Sequence, residues 1–255
     1  MSVTASSPTA APGRVARALA HARWETRLLL RNGEQLLLTF AIPIGLLLVL
    51  SLTTIVATST GPDALPRTLA TVLTVSILSS GFTSLAIATG FERRSGALRF
   101  LGTTPLTRGE LLAGKLGATG LVTLLSSAAV LAVAAVLGWR PQSGDAWALA
   151  LIVLGTAACA SWGMALAGLL RAEAVLAVAN GIFLLLIMFG GVVIPASSLP
   201  APLAALAPLL PSGALVEALT AVLTDSPSVP TQPVLVLIAW LVVGTVVTVR
   251  TFRWS

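Results

Sequence analysis

The chain has 255 residues, of which 56% are hydrophobic and only 9% are charged, and its mean hydropathy is +0.98. Soluble domains carry roughly 25% charged residues, so this composition excludes a soluble globular protein and indicates an integral membrane protein. The net charge is +6, but the cations fall at the edges of apolar stretches and leave no basic groove, so we expect no nucleic-acid partner.

The N-terminal region divides into a polar tail and an amphipathic segment. Residues 1–12 show no apolar periodicity, which predicts a disordered tail. Residues 13–33 predict an amphipathic helix in the membrane interface, and an ordinary cationic flank is the alternative. On a helical wheel, Arg17, Arg27 and Arg31 lie opposite an apolar face. That face consists of Val15, Leu19, Ala22, Thr26, Leu29 and Leu30.

Six uncharged stretches are each long enough to cross a membrane as a helix, which takes about 20 residues. They predict an all-α integral membrane protein in which residues 34–255 form one six-span domain. The predicted spans are 36–59, 68–91, 112–138, 146–170, 174–194 and 231–250. Thirteen of the fifteen Lys and Arg residues fall on one side if both termini are cytoplasmic, so we predict that orientation.

Polar residues in two spans are candidates for a translocation path. In the second span one face carries Ser76, Ser80, Thr83 and Ser84, which either packs closely against another helix or lines a path. Asn180 lies deep in the fifth span and either bonds across helices or contacts a substrate. The one cysteine, Cys159, excludes an intrachain disulfide.

We expect no Asp, Glu, Lys, Arg or His within the membrane-crossing segments. The absence of such residues limits how transport could be driven. Proton-driven transporters normally need buried ionisable groups as relays. Moving a two-state protein from 1:99 to 99:1 takes about 5.5 kcal/mol of differential interaction. We therefore expect the driving energy to come from another molecule. A secondary transporter and a non-transporting scaffold are the alternatives.

An uncharged, proline-rich segment follows the fifth span and is predicted to form an outer re-entrant element. Helix-breaking prolines recur from Pro195 through Pro200 to Pro211. We predict a short helical segment that dips back into the outer leaflet and ends near Glu217. A lid that only seals the bundle is the alternative, because irregular backbone at such depth must be shielded.

Two apparent catalytic motifs are rejected. The run Gly109-x4-Gly114-Lys115 matches a phosphate-binding loop, but Leu116 replaces the hydroxyl residue that would coordinate magnesium, and no strand precedes the run. His21 is the only histidine, so neither a metal site of the usual spacing nor a Ser-His pair is expected. We therefore predict no catalytic residue, no metal and no cofactor in this chain.

The stretch Glu92–Lys115, here called the connector, is a charged amphipathic link between the second and third spans. It reads Glu92-Arg93-Arg94-x-Gly96-x-Leu98, then Leu101, Thr104-Pro105-Leu106 and Arg108-Gly109-Glu110-Leu111-x-x-Gly114-Lys115. With the six-span layout, the N-terminal helix and the outer segment, this motif resembles the type-2 ABC transporter permeases. That family includes drug and antibiotic exporters, and the resemblance covers nearly the whole chain.

The resemblance implies a coupling helix from Arg93 to Gly102 that rests in a groove of a separate ATPase subunit, which would hold ATP and magnesium. Glu92 would lie at the gate beside the second span. Arg99 stands where relatives often carry an acid, which implies a differently charged groove. The implied coupling residues are Glu92, Arg93, Arg94, Gly96, Leu98, Arg99, Leu101, Thr104, Pro105 and Arg108.

The resemblance also implies two permeases facing each other around a central path, either a homodimer or a pair with a homologous permease. It implies export of an amphipathic or hydrophobic compound, such as a drug, an antibiotic or a lipid-like molecule, across the bilayer of a bacterial plasma membrane. Export of a saccharide or of haem is the alternative within the family.

Overall fold

A computed structural model describes residues 13–52, 64–141, 146–224 and 230–251. The predicted disordered tail and residues 53–59 of the first predicted span lie outside the described residues. Within the described part the chain is helical and contains no strand. The helices, labelled in chain order, are α1 (Arg14–Arg31), α2 (Gly33–Leu52), α3 (Ala64–Ser95), α4 (Ala97–Leu101), α5 (Arg108–Val136), α6 (Ala146–Leu169), α7 (Ala172–Phe189), α8 (Ala201–Leu209), α9 (Pro211–Leu223) and α10 (Thr231–Thr251).

Six of the described helices, α2, α3, α5, α6, α7 and α10, are long and apolar enough to cross a membrane. They match the six predicted spans in order, which confirms the predicted all-α fold with about six spans. The third span begins at Arg108 rather than near residue 112, because Thr107 and Glu110 form a capping box. The Thr107 hydroxyl accepts from the Glu110 amide at 3.3 Å, and the Glu110 carboxylate accepts from the Thr107 amide at 2.8 Å.

The six spans differ in how much of their surface the bundle covers. We compare the most apolar stretch of 18 residues in each helix. In α3 and α6, 67% and 61% of these residues are buried inside the bundle, whereas in α2 and α7 only 17% are buried. The central helices α3 and α6 meet closely at Gly163, where an added Cβ would stand 2.7 Å from the carbonyl oxygen of Phe82. Helices α2, α7 and α10 therefore form the outside of the bundle.

The outer segment between α7 and α10 is helical and folds back among the spans. Its two helices, α8 and α9, meet at an angle of 75°. The break lies level with Trp240, whose indole N–H donates to the Leu209 carbonyl at 2.9 Å. Trp240 is nine residues along α10 from Thr231, about 14 Å at the helical rise. The segment therefore reaches well past the ends of its neighbours, and its position in a bilayer stays a prediction.

Helix α9 extends further than the sequence pattern predicts. The expectation that the outer segment ends near Glu217 is wrong, because α9 continues to Leu223. Most of its residues are buried, and Leu215 packs so closely on α6 that a Cβ added at Gly155 would meet the Leu215 Cδ1 atom at 2.8 Å. The apolar packing of Leu219, Val222 and Leu223 extends the helix beyond the charged residue at which the prediction stopped.

Candidate functional site

The connector forms a short helix, α4, that is anchored to its own bundle. Gly96 ends α3 with φ of +80°, a left-handed conformation that L side chains rarely adopt, and α4 begins at the next residue. Leu98 is fully buried, in a cluster with Leu85, Leu111 and Met164. Leu101 is half-buried against the same cluster. In this arrangement Leu98 holds the connector in place and offers no surface to a partner.

The outward side of α4 presents an aromatic side chain beside a cation. Phe100 is 74% exposed, and its neighbour Arg99 is exposed as well. Phe100 was missed in the sequence reasoning, because a helix of five residues is too short for a hydrophobic period to show which face is buried. An exposed Phe on a charged helix is a feature that interaction surfaces share.

Three consecutive residues at the end of α3 each contact a different helix. Glu92 accepts from the Lys115 ammonium on α5 at 2.8 Å. Arg93 donates to the carbonyl of Gly168 at 2.9 Å and to that of Leu170, which places its guanidinium at the C-terminus of α6. Arg94 pairs with Glu173 in the first turn of α7 at 2.5 Å. The connector is thereby tied to the third, fourth and fifth spans at once.

The remaining connector residues shape the turn between α4 and α5. The Thr104 hydroxyl donates to the Leu101 carbonyl at 2.5 Å, which closes the last turn of α4. Pro105 is exposed, and Arg108 is exposed at the first position of α5. The structure therefore gathers all the predicted coupling residues at one end of the bundle, here called the connector end.

Helix α1 packs along α5 at the connector end through a stripe of polar residues. Arg17, His21 and Glu25 stand four residues apart and face the bundle. Arg17 donates to Glu110 at 2.7 Å, and Glu25 accepts from Lys115 at 2.9 Å. Sequence reasoning missed Glu25, Glu110 and Lys115 as functional residues. The recurrence of charge at every fourth position of α1 is the signal that could have found them.

The side of α1 that faces the bundle is only partly the apolar face of the helical wheel. Ala22, Thr26 and Leu29 face the bundle, but Val15 and Leu19 are 73% and 64% exposed, whereas Arg17 turns inward. Here the surface that α1 covers is itself charged, so the side chains that complement Glu110 and Lys115 occupy the buried face. Whether α1 lies in the membrane interface stays a prediction.

Burial and pairing determine the charge states along α1. The hydrogen bond that Arg17 donates to Glu110 raises the pKa of Arg17 above its ordinary value, so this residue stays cationic. Burial lowers the pKa of His21, and the Lys115 ammonium lowers it further, although the carboxylate of Glu25 opposes both effects. The His21 Nε2 atom lies 3.4 Å from Glu25 without forming a hydrogen bond. His21 is therefore neutral near pH 7.

The observed helices that are long enough to cross a membrane contain ionisable residues near their ends. Glu92 belongs to α3, and Glu110 and Lys115 belong to α5; Lys115 is only 3% exposed. All the charged residues of the six candidate spans nevertheless lie within about two helical turns of a helix end. Glu92, Glu110 and Lys115 are each paired with an opposite charge, which allows them to be buried.

The same arrangement accounts for the apparent phosphate-binding motif. Residues Gly109 to Lys115 lie inside helix α5, and two carboxylates bind the Lys115 ammonium. Gly114 is required for a different reason: a Cβ added there would overlap the imidazole ring of His21. Among the described residues, no group of three or more His, Cys, Asp and Glu side chains is placed to hold a metal ion.

A cavity of about 60 Å³, lined by both polar and apolar side chains, lies between α1, α2, α3 and α5. Glu25, Glu92 and Lys115 contribute to its wall. Its neutral polar lining consists of Gln35, Thr39, Ser80, Ser84, Thr119 and Thr123. Within the wall the hydroxyls of Ser80 and Thr123 share a hydrogen bond of 2.9 Å.

The structure separates the five residues predicted for a translocation path. Ser80 and Ser84 line the cavity, whereas Ser76 and Thr83 are buried elsewhere on α3. A π-helical segment, Leu78–Ser84, contains Ser80, Thr83 and Ser84 and changes the angle between successive side chains, which a regular wheel does not anticipate. Asn180 is exposed on α7, where its amide donates to the Leu176 carbonyl at 2.8 Å.

The residues predicted for the outer segment have distinct positions. Pro195 is half-buried and precedes a single 3-10 turn, and Pro200 is exposed at the cap of α8. Pro211 is buried at the first position of α9, and the next residue, Ser212, donates to the Leu186 carbonyl of α7 at 2.8 Å. Glu217 is exposed halfway along α9. The outer segment is thus bonded to both flanking spans, α7 and α10.

Comparison with known families agrees with this architecture. The model of a family described as ABC-2 family transporter protein matches residues 50–250, from the end of α2 to the end of α10. No curated protein sequence gives a significant match. Members of this family are transmembrane subunits that normally lack an ATPase site of their own, which implies a partner ATPase subunit. The chain therefore belongs to the ABC-2 family of transporter permeases and is the membrane subunit of an ABC transporter.

Proposed function

We propose that this chain is the permease of an ATP-driven exporter that moves an amphipathic or hydrophobic compound out of the cytoplasm of a bacterium. A separate subunit binds ATP and magnesium at the connector end, which faces the cytoplasm together with both termini. The observation that carries the proposal is the bridging by Glu92, Arg93 and Arg94, which join the end of α3, directly before α4, to three other spans. A force applied to α4 reaches those spans through these contacts.

The surface of α4 supports the position of the ATPase. Leu98 fixes the helix from within, so Arg99 and Phe100 are held on the outside. An aromatic anchor of this kind fills a pocket in a partner and contributes a large share of the binding energy. The basic neighbours Arg94 and Arg99 favour an acidic rim around that pocket.

The partner contact is tested by replacing Phe100 with Asp. The tagged variant is purified from its native membranes. We expect the rate of ATP hydrolysis that copurifies with it to fall about tenfold or more, because a charge replaces the anchor of the interface. Val136→Asp is the matched control, since Val136 is 87% exposed at the opposite end of α5. Wild-type ATP hydrolysis in the Phe100→Asp preparation would contradict the proposed contact.

The direction and energy source of transport require a separate experiment. In inverted membrane vesicles, the proposal predicts that ATP drives accumulation of a lipophilic dye and that vanadate abolishes it. Dissipating the proton gradient should leave the accumulation unchanged. Accumulation that is independent of ATP and collapses with the gradient would indicate a secondary transporter, and ATPase binding without any transport would indicate a scaffold.

A second copy of the chain completes the proposed path. Helix α7 is one of the two least covered spans, and its exposed face places Ala177 and Gly181 four residues apart beside Asn180. An added Cβ at Gly181 would meet nothing within 4 Å. Small residues at this spacing let membrane helices approach closely, and a polar amide facing lipid is costly unless a partner covers it. We therefore assign this face to a homodimer contact.

A further inference from the structure

The outward side of α1 carries three arginines that take no part in packing against the bundle. Arg23, Arg27 and Arg31 are exposed, and none of them pairs with an acid among the described residues. Residues four apart advance by about 40° around a helix, so the three side chains leave α1 within about 80° of one another. The three arginines, here called the basic stripe, therefore form a single row on one side of the helix.

No acidic residue of α1 lies beside the basic stripe. Glu25, the one acid of this helix, faces the bundle and is paired with Lys115, and Arg17 on the same face is paired with Glu110. Burial keeps the imidazole of His21 neutral near pH 7, so the covered face of α1 has no net charge of its own. The exposed side of α1 therefore carries a net positive charge.

Large apolar side chains border the basic stripe on both sides. Leu19 and Leu30 lie at one edge, Trp24 and Leu28 lie at the other, and all four are exposed. A helix at the surface of a bilayer places apolar side chains among the acyl chains, Trp at the level of the headgroups and Arg beside the phosphates. The combination on α1 therefore favours a lipid surface over an acidic protein surface as the partner of the basic stripe.

The course of the chain keeps the basic stripe close to a bilayer. Arg31 ends α1, and Gly33 begins α2, which is long and apolar enough to cross a membrane. Arg23, at the other end of the stripe, is eight residues from Arg31, about 12 Å at the helical rise. Basic residues this near to the end of a membrane span are attracted to anionic headgroups.

We propose that the basic stripe of α1 binds anionic phospholipid headgroups in the leaflet at the connector end. The guanidinium groups bind the phosphates, and the bordering apolar side chains lie among the adjoining acyl chains. Lipid thus holds the outer side of α1, while α5 holds its inner side. This contact does not depend on the proposed transport function, because α1 precedes residues 50–250, which the family model matches.

The proposal is tested with a fluorophore placed beside the basic stripe and two spin-labelled lipids that quench it. Ala20→Cys puts a thiol on the exposed side of α1, and the native Cys159 is buried and stays unlabelled. The full-length chain, labelled with NBD, is reconstituted into phosphatidylcholine vesicles that contain a fixed fraction of spin-labelled phosphatidylglycerol or spin-labelled phosphatidylcholine. We expect the anionic lipid to quench at least about twofold more strongly, because each arginine attracts it. About 1 M salt should remove the difference, since it screens charges beyond about 3 Å.

Two triple variants and a second label position locate the effect. Changing all three arginines of the basic stripe to Gln should make quenching by the two lipids equal. Changing the same three residues to Lys is the matched control and should keep the preference for phosphatidylglycerol, because the charge remains. Leu235→Cys carries the label in the control position, exposed at the opposite end of α10 from Arg250, and both lipids should quench it equally.

Three outcomes would overturn the proposal. Equal quenching of the residue 20 label by both lipids, with the arginines intact, would show that the stripe does not select for charge; this comparison holds even if the Gln variant fails to fold. A preference that persists undiminished in the Gln variant would show that the stripe is not its cause. Quenching by neither lipid would place the stripe outside the bilayer, and shielding of the same label from iodide in the complex with the ATPase would then assign it to that protein.

Discussion

Gly114 is a position at which α1 and α5 approach each other closely. The imidazole of His21 occupies the space that a side chain at residue 114 would fill, and Gly117 faces Ala22 one turn further along. This approach brings Arg17 to Glu110 and Glu25 to Lys115, since both ion pairs require the helix axes to lie close together. A single missing Cβ thus allows the charged stripe of α1 to be buried.

Replacing Gly114 with Ala should destabilise the protein. We expect a loss of about 1–3 kcal/mol, because the added methyl group forces His21 out of its position. Thermal unfolding followed by Trp fluorescence measures the change. Gly120→Ala in the same helix is the control: a Cβ there meets nothing within 4 Å, so that variant should be neutral or up to about 1 kcal/mol more stable. A Gly114→Ala protein as stable as the control would show that the contact is unimportant.

Among the single elements, α4 is a short helix that directly follows three residues bonded to other spans. Leu98 holds it against the bundle, and the residues just before it hold the ends of α6 and α7. The guanidinium of Arg93 is especially suited to this role, because the last carbonyls of a helix lack partners within the helix and carry partial negative charge. We therefore expect a movement of α4 to displace the end of α6 with it.

Arg93→Gln should separate partner binding from transport. The side chain faces its own bundle, so we expect the ATPase to remain associated, while transport per ATP hydrolysed falls by about tenfold because α6 no longer follows α4. Dye accumulation and ATP hydrolysis in the same inverted vesicles give this ratio. Arg99→Gln, on the exposed side of α4, is the control and should leave the ratio unchanged. Equal ratios in the two variants would exclude Arg93 from transmission.

At the scale of the whole molecule, the uneven coverage of the spans indicates where another copy would bind. Helices α3 and α6 are largely enclosed, whereas α7 exposes a face with Ala177, Asn180 and Gly181. Two copies that meet along this face would bury the amide and place the two bundles around a common axis. The outer helices α8 and α9 would then lie on either side of that axis, since they follow α7 directly.

Cysteine cross-linking tests this arrangement in membranes. We expect Gly181→Cys to form a disulfide-linked dimer under mild oxidation, because small membrane-helix interfaces bring such positions into contact. Ala239→Cys, exposed on α10, should remain monomeric, and the native Cys159 is buried and should not interfere. Cross-linking of residue 239 but not of residue 181 would move the interface to another face of the bundle.

Composition and charge pattern alone predicted the class of protein, the number and order of the spans, and the position of the connector. These features depend on local composition. A run of about 20 apolar residues indicates a span, prolines and glycines indicate a break in a helix, and a cluster of charges indicates a segment outside the hydrocarbon, whatever the rest of the chain does. The family resemblance was carried by the same local motifs, and the family match over residues 50–250 confirmed it.

Only the tertiary structure decided which side chains of those elements meet. Arg17 and Glu110 are 93 residues apart in sequence, and Lys115 and Glu25 are 90 apart, so no local period relates them. A π-helical segment rotates Ser76 and Thr83 away from the cavity that Ser80 and Ser84 line, and the inward turn of Leu98 leaves Phe100 on the outside. The physical reason is the same in each case: a buried charge or a buried Leu depends on what the opposite surface supplies, and that surface exists only once distant helices have packed together.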